Sequence, residues 1–248
     1  MECSFILFSL IFLSFGPSLA SGYSMHLDIA DVATVDQMKC MAQNGYGIGW
    51  FRAYRSDGMG TFDNNSIANF NNYQIATANT YVDFYMEPSP MSSKQGFQQL
   101  DEFYTGITTH GIHLGYVNLV VAWPEKWSSD INTNINFINS VVTRANQYMR
   151  YVYILTNETY WTAITGNWKP TGNYAGIWWM DVSGDGQSGE SQPDFKDFQP
   201  FGPWTSVSTK QFARNETVCG VNVNRNIVSG PNANIFEKYR RNVIDIKS

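Results

Sequence analysis

"YVNLVVAWPEKW", Tyr116 to Trp127, is apolar from Val117 to Trp123 except for Asn118, and it stops at Pro124. A run of that length, closed by a proline, reads as a strand buried on both faces that feeds a short loop and a helix start. Downstream, Ser129 or Asp130 is placed to cap a helix with Ile135, Ile138, Val142 and Ala145 on one face. "RYVYILT" (Arg150 to Thr156) and "GIWWMDV" (Gly176 to Val182) are two further strands. Upstream, Ser92 to His110 has a helical pattern, with Phe97, Leu100, Tyr104 and Ile107 on one face. Before it come strands "TYVDFYMEP" (Thr80 to Pro88), "GIGWFRAY" (Gly47 to Tyr54) and "YSMHLDIA" (Tyr23 to Ala30). Between the last two, Thr34 and Gln37 have capping-box spacing, and Asn44-Gly45 stops the helix that they open. The regular order of strand and helix predicts an α/β fold with parallel strands, a modified β/α (TIM-like) barrel in one domain. After Val182 the pattern predicts shorter strands and loops.

The chain has 248 residues, 43% of them hydrophobic and 15% charged, with a net charge of −5. That suits a globular fold and argues against a nucleic-acid partner, which calls for a basic face. Phe5 to Phe15, "FILFSLIFLSF", is too short to span a bilayer and is followed by the small residues of "GPSLAS". We read residues 1–20 as a secretory signal peptide despite the acidic Glu2, residues 21–228 as the folded domain, and 229–248 as a C-terminal tail. The expected location is outside the cell or in a vesicle lumen, without a membrane span once the signal is cleaved, and as a monomer. Loss of Cys3 with the signal leaves Cys40 and Cys219, which either form one disulfide or remain two buried thiols. Asn64, Asn157 and Asn215 each begin an N-glycosylation sequon.

In a parallel barrel, chemistry gathers at the carboxyl ends of the strands. Asp28 ends the first strand, Arg52 and Tyr54 the second, and Asp83, Tyr85 and Glu87 the third, with Asp83 expected to hydrogen-bond Arg52 in the barrel mouth. Asp181 and Asp185 follow the sixth. The fourth strand ends in Val120, Val121, Ala122 and Trp123 and offers nothing that titrates.

With these residues in place, the chain resembles the lysozymes of glycoside hydrolase family 25, in their nematode-type branch. The likeness is carried by "LDIA" (27–30), "FRAYRS" (51–56), "VDFYMEP" (82–88), "EKWSSD" (125–130) and "IWW" (177–179). It continues through "DFQPFGPW" (197–204), "KQF" (210–212) and "CG" followed by "VNVN" (219–224). It runs from Tyr23 to Asn226. The resemblance implies a modified β/α barrel, a bacterial peptidoglycan or related glycan as partner, and a setting of antibacterial defence or bacterial digestion. Family members cleave the β-1,4 bond after N-acetylmuramic acid, using a D-x-E pair at the end of the fourth strand. Here Val120 and Ala122 occupy that pair's positions, and Asn222 stands where a late family acid falls in a V-D-x-N context. Asp28 matches a retained family acid. A glycosidase needs a group that protonates the leaving oxygen and another that stabilises positive charge, and neither Val nor Ala does either. The expectation is a catalytically impaired, glycan-binding relative. The alternative is an active muramidase in which Glu87, with Asp28, replaces the missing acids.

Arg52, Asp83, Tyr85, Trp123 and Trp178 are the candidate sugar-binding residues, placed by strand position near the mouth, as is Trp179. "DVSGDGQSGE" (181–190) holds half of a calcium-loop pattern but follows a strand and has Gln192 at the twelfth position. It is read as a surface loop, so neither a metal site nor a cofactor is expected.

Overall fold

The computed structural model describes residues 22–79, 81–170 and 174–229. The segment read as a signal peptide, and all of the tail except Ser229, lie outside the described residues. Nine strands and five helices follow in the order β1 (Tyr23–Ile29), α1 (Val35–Gln43), β2 (Gly47–Arg55), β3 (Thr61–Phe62), α2 (Asn65–Thr77), β4 (Asp83–Met86), α3 (Gly96–Thr108), β5 (Val117–Val120), α4 (Ile131–Gln147), β6 (Val152–Thr156), α5 (Glu158–Thr165), β7 (Tyr174–Met180), β8 (Thr209–Val218) and β9 (Val221–Ser229). Strands β1, β2, β4, β5, β6, β7 and β8 are parallel neighbours in that order. Strand β9 runs antiparallel between β8 and β1 and closes the eight-stranded barrel, while β3 hangs on β2 as an antiparallel edge.

Alternation along the strands divides the core in two. Phe51, Phe84, Leu119, Val121, Ile154 and Ile177 face the helices and pack with Leu100, Phe103, Ile138 and Val141. Trp50, Tyr85, Val120, Ala122, Leu155, Trp178 and Met180 face the barrel axis and fill it. Both sides of the central strands are therefore apolar, the reason β5 reads as an apolar run interrupted only by Asn118, whose buried side chain donates to Phe84 O.

Local chemistry sets the helix ends. The Thr34 hydroxyl accepts from Gln37 N and the Gln37 side chain accepts from Thr34 N, closing the capping box of α1. Asp130 caps α4 by accepting from Asn132 N. In α3 the buried face is Leu100, Phe103 and Ile107, whereas Phe97 is exposed, so that face is turned from the one read in the sequence. Helix α5, capped by Asn157, is not among the elements expected from the sequence. The third departure is at the end of the chain, where two long strands form a hairpin instead of short pieces. Between β7 and β8 lies irregular chain with one 3-10 turn at Gln187–Gly189, so no helix covers that side.

Candidate functional site

A cavity of about 270 Å³ opens at the carboxyl ends of the strands. Its lining includes Asp28 from β1, Arg52 from β2, Tyr85 and Glu87 from β4 and the segment after it, Val120 and Trp123 from β5 and its loop, and Arg214, Asn215, Asn222 and Asn224 from the β8–β9 hairpin.

Asp28 sits at the inner wall, almost wholly buried. Three amide nitrogens donate to its carboxylate: Gln211 Nε2 at 3.0 Å, Asn224 Nδ2 at 2.7 Å and Asn226 Nδ2 at 2.8 Å. Burial raises its pKa, opposed by these hydrogen bonds and by the charge of Arg214. The Asn226 carbonyl accepts in turn from the Trp178 indole at 2.7 Å, and that of Asn224 from Asn215 N at 3.0 Å. The carboxylate, an acceptor only, thus fixes which way these amides turn.

Arg52 bridges two acids. Its Nε donates to Asp63 at 3.0 Å, and its Nη1 lies 3.7 Å from the Glu87 carboxylate. Glu87 is pushed above the ordinary carboxylate range by burial, against the attraction of Arg52 and Lys126. Tyr85 lies between these groups and is raised well above its ordinary value by burial.

At the end of β5, Val120 faces the cavity and Ala122 a small neighbouring hollow beneath Trp123. Trp123 itself has φ of 58°, in the left-handed region that a bulky side chain rarely adopts. Its half-buried ring has Lys126 Nζ 4.9 Å from the centroid on β5's own loop and the Arg214 guanidinium at 5.7 Å from the hairpin. Arg214 is held there by Asp185, which accepts from its Nε and Nη2 at 3.0 and 2.6 Å.

Several sequence expectations are corrected here. Asp83 is the first residue of β4, so it lies at the amino end of the barrel, opposite the mouth. It takes no part in the cavity and does not bond Arg52, whose partners are Asp63 and Glu87. Trp178 is buried below the cavity, stacked on Trp50 with ring centroids 4.2 Å apart, and does not line the opening. Trp179 points outward to Phe198. Tyr54 also turns toward the helices, its hydroxyl donating to Glu102 at 2.8 Å. Asp181 and Asp185 are ion-paired with Lys210 and Arg214, and the described residues hold no cluster of metal-ligating side chains. Gln211, Arg214 and Asn224 were not singled out in the sequence. The alternation of "VNVNRN", with Asn222, Asn224 and Asn226 two apart, is the signal that marks their wall.

Cys40 and Cys219 are joined by a disulfide that ties α1 to the tip of the β8–β9 hairpin. Among the described residues no helix is long and apolar enough to cross a membrane.

The barrel with this mouth is the fold of the family 25 lysozymes. It is similar to a family GH25 lysozyme from Aspergillus fumigatus, with a TM-score of 0.65 at 15% identity over 87% of this chain and 98% of that one. The bacterial lysozyme from Streptomyces coelicolor is similar at a TM-score of 0.63 and 16% identity, over 90% of this chain and 99% of that one. In sequence, a family model described as lysozyme-like protein 1 matches residues 19–212. Lysozyme-like protein 7 of Caenorhabditis elegans is 41% identical over 85% of this chain and 74% of its own length. Probable GH family 25 lysozyme 2 of Dictyostelium discoideum is 27% identical over 81% of this chain and 88% of its own. The chain belongs to the lysozyme-like family within glycoside hydrolase family 25.

Proposed function

We propose that this is a secreted lysozyme-like protein that binds peptidoglycan or a related glycan in the cavity without hydrolysing it, in antibacterial defence or bacterial digestion. The observation that carries the reading is the apolar end of β5, where Val120 faces the cavity and Ala122 lies beside it. These are the positions that the resemblance gives to the catalytic pair. Asn222, at the late acid position, donates to Asn215 at 2.8 Å and brings no charge. A site without an acid to protonate the leaving oxygen loses orders of magnitude in rate.

What remains suits binding. Trp123 offers an aromatic face, Arg52 and Arg214 offer donors, and the Asn and Gln amides present a wall of fixed polarity. Asp28 is a positioning residue in this reading, since its carboxylate is occupied in holding three amides. The competing reading is hydrolysis by Glu87 with Asp28, for which the support is that both carboxyls line the same cavity and both are raised by burial.

The test is co-sedimentation of the mature protein, freed of N-linked glycans, with purified peptidoglycan, beside a Trp123→Ala variant treated in the same way. Wild type is expected to pellet and the variant to do so at least several-fold less. Equal pelleting of the two, or none by either, would remove the cavity as a glycan site.

A further inference from the structure

Of the three sequons, Asn215-Glu216-Thr217 is the one set on the cavity. Asn64 precedes α2, and Asn157 caps α5 by accepting from Tyr160 N at 2.8 Å. Asn215 is exposed, with a left-handed φ of 56°, at a bulge where β8 and β9 shift register between Ala213 and Glu216. Asparagine tolerates that conformation, and a bulge re-aims a side chain. The side chain is held at both ends: Oδ1 accepts from Asn222 Nδ2 at 2.8 Å, and Nδ2 donates to Asp185 Oδ2 at 2.9 Å. Its second amide hydrogen has no acceptor among the described residues.

We infer that Asn215 carries an N-linked glycan whose first sugars stand over the cavity and occupy it in cis. In the transfer, Asn215 Nδ2 bonds to C1 of an oligosaccharide carried on a lipid diphosphate. The C1–oxygen bond to the diphosphate breaks, the lipid diphosphate leaves, and one amide proton passes to solvent. One N–H stays on the nitrogen, enough to keep the bond to Asp185. N-linked chains begin with two β-1,4-linked N-acetylglucosamines, so the attached sugars share their N-acetylhexosamine chemistry and linkage with the glycan proposed for the cleft. Occupancy in cis rests on that proposed reading; the modification itself does not. A short tether presents its ligand at about millimolar effective concentration, so sugars that bind the cavity with a Kd of about 0.25 mM or tighter occupy it when tethered and weaken a free glycan about five-fold or more.

The protein would be secreted from insect cells in three forms: wild type, Thr217→Ala and Thr217→Ser. The Ala variant loses the sequon but keeps Asn215 and its hydrogen bonds, and the Ser variant keeps the sequon. Thr217 is exposed, so neither change disturbs the core. Peptide mass spectrometry reads occupancy at Asn215, and tryptophan fluorescence reads binding of chitotetraose. Wild type and Thr217→Ser should carry hexosamine at Asn215, and Thr217→Ala should bind the probe at least about five-fold tighter than either. An unmodified Asn215 in wild type would overturn the inference, as would modification with equal affinity in all three. Failure of every form to bind the probe would overturn cis occupancy together with the glycan-binding reading, while an occupied Asn215 would show that the modification stands alone.

Discussion

Asp83 to Asn should make the protein more stable at pH 8 and leave it unchanged at pH 4. Asp83 sits at the amino end of the barrel among Tyr81, Tyr116 and Tyr153, and makes no ion pair among the described residues. Burial pushes its carboxyl from the ordinary 3.8 up to about 7, opposed by a hydrogen bond from the Tyr116 backbone. A folded-state pKa above the unfolded one means that the folded protein holds the proton across that interval while the unfolded chain has released it. Stability therefore falls as pH rises from about 4 to about 7 and is flat beyond. The full interval corresponds to about 4 kcal/mol, and partial exposure of the side chain reduces this to about 1–3 kcal/mol. Asparagine keeps the shape and the acceptor for Tyr116 but has no proton to lose. Urea unfolding at pH 4, 6 and 8 measures the difference. A constant offset between the two proteins across this range, or a wild type that is the more stable at pH 8, would refute the reasoning.

Three further perturbations follow from named contacts. Arg52→Ala leaves Asp63, 3% exposed, without its guanidinium, and should lower the unfolding free energy by about 3 kcal/mol. Asp28→Ala strips the acceptor from three amides of a buried wall; a loss of about 2–4 kcal/mol is expected by denaturant titration, and a loss under about 0.5 kcal/mol would mean that the amides find other partners. Replacing Cys40 and Cys219 by Ala opens a loop spanning 179 residues and should lower the thermal midpoint, by a free energy of about 3–5 kcal/mol on the chain-entropy argument. The paired Ala variant should match wild type that has been reduced.

Much of the barrel was legible because its central strands are buried on both faces, which writes each as a short apolar run. The β5 run and the capping box of α1 are set by neighbours a few residues away. Strand β8 of the closing hairpin was not legible at full length, because the bulge between Ala213 and Glu216 breaks the alternation that marks a strand. In α3, Phe97 fits the apolar period as well as Phe103 does, and only the position of α4 decides which is covered. At the site, Glu87 and Asp28 were placed at the mouth by counting along strands, and both line the cavity. The same counting misplaced Asp83, since a four-residue strand puts its first residue at the far end. The pairing of Arg52 with Asp63 depends on how the chain after β3 folds back over the mouth, which no local pattern records.

The most direct measurement is release of soluble muropeptides from purified peptidoglycan by the mature protein, read by mass spectrometry, with Glu87→Gln run in parallel. Binding without hydrolysis predicts no release above a buffer blank from a protein that pellets with the wall. Release by wild type that Glu87→Gln abolishes would contradict it and make Glu87 the acid of a working muramidase.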